Sequence, residues 1–79
     1  MNNYEGEIER MYWTTDELCK MINVSHSTVC TWNHEFNVGG VRGLYTKDMV
    51  AKMHVIYNLR RVELYSVKGV KLQLQKLKL

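Results

Sequence analysis

Residues 14–36 read TTDELCKMINVSHSTVCTWNHEF, and residues 37–45 continue NVGGVRGLY. Thr14 and Glu17 stand three apart and make a capping box, in which each side chain satisfies a free backbone amide at a helix start. The helix that follows carries Leu18, Cys19 and Ile22 on one side and is predicted to stop near Asn23, a residue that tolerates the left-handed conformation. Val24 packs inward at the turn, and Ser25 is a good N-cap for a second helix. Val29, Trp32 and Phe36 recur at i, i+3, i+7, the mark of a buried helical face. The opposite face holds His26, Ser27, Cys30, Thr31 and His34. Gly39, Gly40 and Gly43 then favour a tight hairpin or loop, which with Leu44 and Tyr45 makes a small β-wing of strands two or three residues long.

Downstream, Thr46 caps a third helix and Asp48 complements its dipole. Met49, Met53, Ile56 and Tyr57 form its inward stripe, and the helix is expected to last to about Arg61. Ser66 caps a fourth helix, with Val67, Val70, Leu74 and Leu77 facing in. Gly69 weakens that helix by ~1 kcal/mol relative to alanine. The tail KLQLQKLKL also alternates with period two, which leaves a strand open there. Two capped helices joined by a short link favour the helical reading. The fold class that results is mostly α: about four helices with a short Gly-rich β-wing between helices 2 and 3, a winged helix-turn-helix. Residues 1–11 lack apolar periodicity and read as a flexible N-terminal arm; residues 12–79 form the domain. A helix, a tight turn, a second helix and a wing is an order by which small domains present one helix to a DNA groove.

The 79 residues allow one domain with a small core. Such cores often gain from a partner or a second copy. No apolar run approaches the ~20 residues that a bilayer span requires, and the opening MNNYEGEIER is too polar and acidic for a secretory signal, so a cytoplasmic location is expected. Cys19 and Cys30 each fall in a helix pattern and read as free thiols. The net charge of +3 hides an asymmetry: residues 1–35 carry −4 and residues 36–79 carry +7. A basic half suggests a polyanion partner, whereas lysine on a solvated face is also ordinary.

Three segments now resemble the MerR-like winged helix-turn-helix family: YWTTDELCKMINVSHSTVCTW, RGLYTKDMVAKMHVIYNL and YSVKGVKLQL. In that family an aromatic and a capped helix lead into a turn, then a recognition helix, a wing ending in arginine and tyrosine, and a threonine-capped helix. A further helix pair closes the domain. The resemblance covers about Tyr12 to Leu74. It implies that Ser25, His26, Thr28 and Thr31 meet the major groove, that Val29 and Trp32 pack inward, that Arg42 and Tyr45 serve the wing and the phosphates, and that Tyr12 sits near the DNA. This chain departs from the pattern in having Cys30 where the family often has arginine, and in placing Arg42 three residues before Tyr45 rather than two. The family's long dimerising helix and effector domain have no counterpart here, so no small-molecule effector is implied. Excisionase-like DNA-bending factors share the same small build.

His26, Ser27, Thr28, Thr31 and Asn33 can all hydrogen-bond to bases or phosphates. None is arginine or lysine, so the guanine contact that dominates major-groove readout is missing from this helix. Affinity then falls to Arg42, Lys47, Arg60, Arg61 and the C-terminal lysines through phosphate contacts. His26, Cys30 and His34 stand at i, i+4, i+8, a spacing that suits zinc or copper, but a fourth ligand is lacking unless Cys19 or His54 folds close; chance spacing is the preferred reading, and no metal or cofactor is implied. Cys30 has no evident activating neighbour beyond histidine and reads as incidental. Trp32 reads as core rather than as a stacking platform, and Tyr57 as core-lining. Leu72 and Leu79 fall outside the inner stripe of the fourth helix and make an apolar edge. The carboxylates are scattered and no acid–base constellation is visible, so the chain reads as a non-enzyme.

The function expected is duplex DNA binding, as a transcriptional regulator or an excision-type accessory factor, with a homodimer or side-by-side multimer on DNA raising affinity. The rival is a protein-interaction module of the same fold, favoured by the acidic half. Removing Arg42 and Arg60 is predicted to weaken a DNA complex and to matter less for a protein partner.

Overall fold

The computed structural model describes residues 11–79; the expected arm, apart from Met11, lies outside the described residues. Strand β1 (Trp13–Thr14) runs directly into helix α1 (Thr15–Ile22). Thr14 closes the capping box from both sides: its N–H donates to Glu17 Oε1 at 2.9 Å, and its hydroxyl accepts from the Glu17 N–H at 3.2 Å. Asn23 ends α1 in the left-handed conformation, at φ 57°, and the Val24 N–H reaches back to the Cys19 carbonyl at 3.1 Å. Ser25 then caps helix α2 (His26–Glu35). This tight connection sets α1 against α2, with Leu18 and Val29 fully buried between them and Trp32 and Phe36 close behind. Val24 and Cys19 are half-buried at the margin of this core.

The wing is built differently from a free-standing hairpin. Strand β2 (Leu44–Tyr45) pairs antiparallel with β1, Trp13 opposite Tyr45 and Thr14 opposite Leu44. Within the wing itself only Val41 and Leu44 bridge, exchanging hydrogen bonds of 3.2 and 3.0 Å. Between them Arg42 and Gly43 both have positive φ, 55° and 74°. Two consecutive positive φ values make a type I′ turn, which glycine enters freely and arginine only at a cost. The ladder that holds the wing thus lies partly before α1.

Thr46 caps helix α3 (Lys47–Tyr57), accepting from the Met49 N–H at 3.4 Å while the Met49 sulfur meets the Thr46 N–H at 3.5 Å. Val50, Met53 and Ile56 face inward. The helical run reaches Val62, in keeping with the expected end near Arg61, but its last turn, Asn58–Val62, is π-helical and closed by Glu63 N–H to the Asn58 carbonyl at 2.9 Å. This wider turn buries Leu59 and sends Arg60 and Arg61 to different partners.

Helix α4 (Val67–Leu77), capped by Ser66, places Val70 and Leu74 in the core. The strand reading of the tail does not hold, since the segment is helical up to Leu77. Leu77 also departs from its expected inward place and is 54 % exposed. The helix stops there, with Lys78 left-handed and the Leu79 N–H bonded back to the Leu74 carbonyl at 2.9 Å, so its last turn runs past the core. Leu72 and Leu79 are exposed, as their positions outside the stripe predicted.

Candidate nucleic-acid interface

The outward face of α2 presents Ser25, His26, Ser27, Cys30, Thr31 and His34 to solvent. This follows from the inward pull of Val29, Trp32 and Phe36, which fixes the rotation of the helix. At its first turn Ser25 is a hub: its hydroxyl accepts from the Thr28 N–H at 3.2 Å and meets the hydroxyls of Ser27 at 3.2 Å and Thr28 at 2.8 Å. Ser25 therefore shapes the start of the helix, and Thr28 is half-buried beside it. His26 and Ser27 occupy the exposed first turn, where the helix dipole favours negative charge. His26 Nδ1 lies 3.6 Å from the Cys30 sulfur. Among the described residues no three histidine, cysteine or acidic side chains gather around one point. Cys19, half-buried, has its thiol pKa pushed up by burial first and then by Asp16 and Cys30.

Asn33, read from sequence as a possible DNA contact, has its side chain occupied. Its amide nitrogen donates to the Gly40 carbonyl at 2.9 Å and its oxygen accepts the Gly40 N–H at 2.8 Å. This pair fastens the wing to α2. At the tip of the wing Arg42 is exposed. An apolar groove lined by Tyr12, Val41, Leu44 and Met49 runs beside it, so Tyr12 stands at the wing. Lys47 is exposed at the first position of α3, directly behind β2.

Tyr45 does not occupy the place the resemblance implied for it. It is 2 % exposed, its ring lies under Gly40, and Thr15 hydrogen-bonds its side chain. Burial, the largest cause, pushes its phenol up from the ordinary 10.0, and Cys30 and Cys19 add to the rise while Thr15 opposes it. A side chain so enclosed braces the wing from within.

The two adjacent arginines separate. Arg60 is half-buried and donates to the Tyr65 carbonyl at 2.9 Å, with its Nε enclosed. In this position it braces the link into α4. Arg61 is exposed, and its guanidinium carbon lies 5.6 Å from the centroid of the Trp32 ring, within the range of a cation–π contact.

Sequence reasoning placed Trp32 in the core and missed that it also carries Arg61. It missed the Asn33–Gly40 pair as well. An asparagine seven residues before a glycine carries no pattern of its own, and the only available cue was that a glycine-rich wing needs fastening.

Among the described residues no helix is long and apolar enough to cross a membrane. Comparison with curated proteins and with solved structures gives no significant match. The family model described as MerR HTH family regulatory protein matches residues 13–77, from β1 to the last residue of α4. With capped helices, a helix–turn–helix and a wing all in the order that family requires, the chain belongs to the MerR HTH family of DNA-binding transcription regulators.

Proposed function

We propose that α2 enters the major groove of duplex DNA while the wing and the π-helical turn hold the phosphate backbone on either side. The observation that carries this reading is the frame around α2: an exposed polar face, with Arg42 on the wing at one edge and Arg61 at the other. His26, Ser27 and Thr31 face the base edges, with Ser25 and Thr28 setting the geometry of the first turn. Arg42 and Lys47 contact phosphates from the wing side, with Tyr12 alongside, and Arg61 does so from the opposite flank. Tyr45 and Arg60 act from inside the fold.

The chemistry of that face sets the balance between affinity and specificity. Imidazoles and hydroxyls donate or accept single hydrogen bonds, whereas the bidentate fork that reads guanine belongs to arginine, which α2 lacks. Discrimination among sequences is therefore modest and affinity is mainly electrostatic. Two copies on adjacent half-sites make up the deficit by avidity.

A titration of a random-sequence 30-mer duplex, followed by fluorescence anisotropy at two salt concentrations, tests this. Binding that weakens steeply with salt supports the reading. A chain that binds no duplex at low salt favours a protein partner instead. The exposed apolar side chains of Val62, Leu64 and Leu72 are the observation that favours that second reading.

A further inference from the structure

Consecutive helical residues project about 100° apart, so Trp32 and Asn33 lie on opposite sides of the line through the buried Val29 and Phe36. Each makes the contact that fixes one basic flank. Asn33 holds Gly40 through both of its amide atoms, at 2.8 and 2.9 Å. Gly40 is clamped on its other side by the Tyr45 ring. Two residues further on, the type I′ turn sets Arg42 at the tip, two residues from the point where the wing is fastened to α2. On the other edge, the Trp32 ring lies 5.6 Å beneath the Arg61 guanidinium. The neighbouring Arg60, bonded to the Tyr65 carbonyl, restricts the turn that carries Arg61.

We propose that Trp32 and Asn33 are positioning residues, through which the recognition helix itself sets the places of Arg42 and Arg61 against phosphates on the two sides of one major groove. The inference rests on the DNA-binding reading above and adds how its backbone contacts are registered. Neither residue touches DNA. Trp32 is buried, and Asn33 turns both of its amide atoms to the Gly40 backbone. A frame whose two arms are both referenced to one helix fits a groove that admits that helix. The major groove of B-form DNA does so, at about 12 Å wide, whereas that of duplex RNA is deep and too narrow to be read. The ligand class is therefore B-form duplex.

The test is a set of double-mutant cycles on DNA affinity over a salt series, using the 30-mer duplex and an RNA duplex of the same sequence. Arg42→Ala and Arg61→Ala each lower the salt slope by about one. Trp32→Phe, which keeps an aromatic ring with a weaker pull on the cation, weakens binding about two- to fivefold, and only while Arg61 is present. Asn33→Ala weakens binding only while Arg42 is present, and the two crossed pairs, Asn33→Ala with Arg61→Ala and Trp32→Phe with Arg42→Ala, are additive. If Asn33→Ala fails to fold, Asn33→Gln, which stays uncharged and shifts both amide atoms away from Gly40 by one methylene, carries the same cycle. Losses of equal size with and without the matching arginine overturn the inference, because the two residues then act through the fold alone. Equal affinity for the RNA duplex overturns it as well. A parent protein that binds neither duplex overturns the DNA reading beneath it, which separates the two failures.

Discussion

The backbone of Gly40 lies against the ring of Tyr45, so closely that a Cβ on Gly40 would overlap the Cδ2, Cε2 and Cζ atoms of the ring. Tyr45 cannot retreat, because β2 pairs it with Trp13 and it is 2 % exposed. Gly40→Ala therefore forces the wing or the ring to move. Overpacking of this kind costs about 1–3 kcal/mol, and in a chain of this size each kcal/mol lowers the melting temperature by about 4–8 °C. Thermal denaturation followed by circular dichroism reads the loss. An unchanged melting temperature would show that the wing yields freely and that Tyr45 does not anchor it.

The same ring makes the fold sensitive to alkali. Burial raises the Tyr45 phenol above its ordinary 10.0. A group whose folded pKa lies above its unfolded value stabilises the fold fully at pH below the unfolded value, and that contribution is lost as pH rises through the folded one. The chain is expected to lose stability above about pH 10. Tyr45→Phe gives up the hydrogen bond with Thr15 but removes the ionisation, so its stability falls less between pH 9 and 11 than that of the parent. Urea midpoints measured across this range decide it; parallel curves would mean that the phenol ionises as freely in the fold as out of it.

At the entry to α2, one hydroxyl satisfies the first turn. Ser25 accepts from the Thr28 N–H and meets two neighbouring hydroxyls. Ser25→Ala is expected to cost about 0.5–2 kcal/mol, measured by urea denaturation. It should also weaken DNA binding beyond that expected from the unfolded fraction, because His26 and Ser27 sit on the turn that frays. Ser25→Asp keeps the cap but sets a negative charge at the phosphates, so it restores stability without restoring affinity.

Local chemistry wrote the legible parts of this fold. Caps at Thr14, Ser25, Thr46 and Ser66, the left-handed stop at Asn23 and the stripe Val29–Trp32–Phe36 depend on residues close in sequence, and each stands where its pattern put it. What sequence did not disclose depends on partners far along the chain. The pairing of β2 with β1 joins residues about thirty positions apart. Nothing local to Tyr45 says that its ring will be covered, because what covers it, Gly40 and the β1 pairing, is fixed only by the folded wing. Arg60 and Arg61 are identical in charge and adjacent, and only the π-helical turn assigns one to a loop carbonyl and the other to a tryptophan. Leu77 continues the inward spacing of α4, but the helix has by then outrun the core.

That division between the arginines gives the sharpest contrast in the chain. Arg60→Ala leaves the Tyr65 carbonyl without its 2.9 Å partner and loosens the link into α4. The expected cost is about 1–3 kcal/mol of stability, and the salt slope of DNA binding should stay that of the parent once the folded fraction is taken into account. Arg61→Ala removes an exposed charge resting on Trp32. A cation–π contact at an exposed site contributes about 0.5–1 kcal/mol, so the loss of stability is the smaller of the two, while the salt slope falls by about one. Urea denaturation and anisotropy on the same two variants check both halves. If Arg60→Ala instead lowers the slope and leaves stability unchanged, the guanidinium swings out to the phosphates on binding and its bond to Tyr65 belongs to the free protein only.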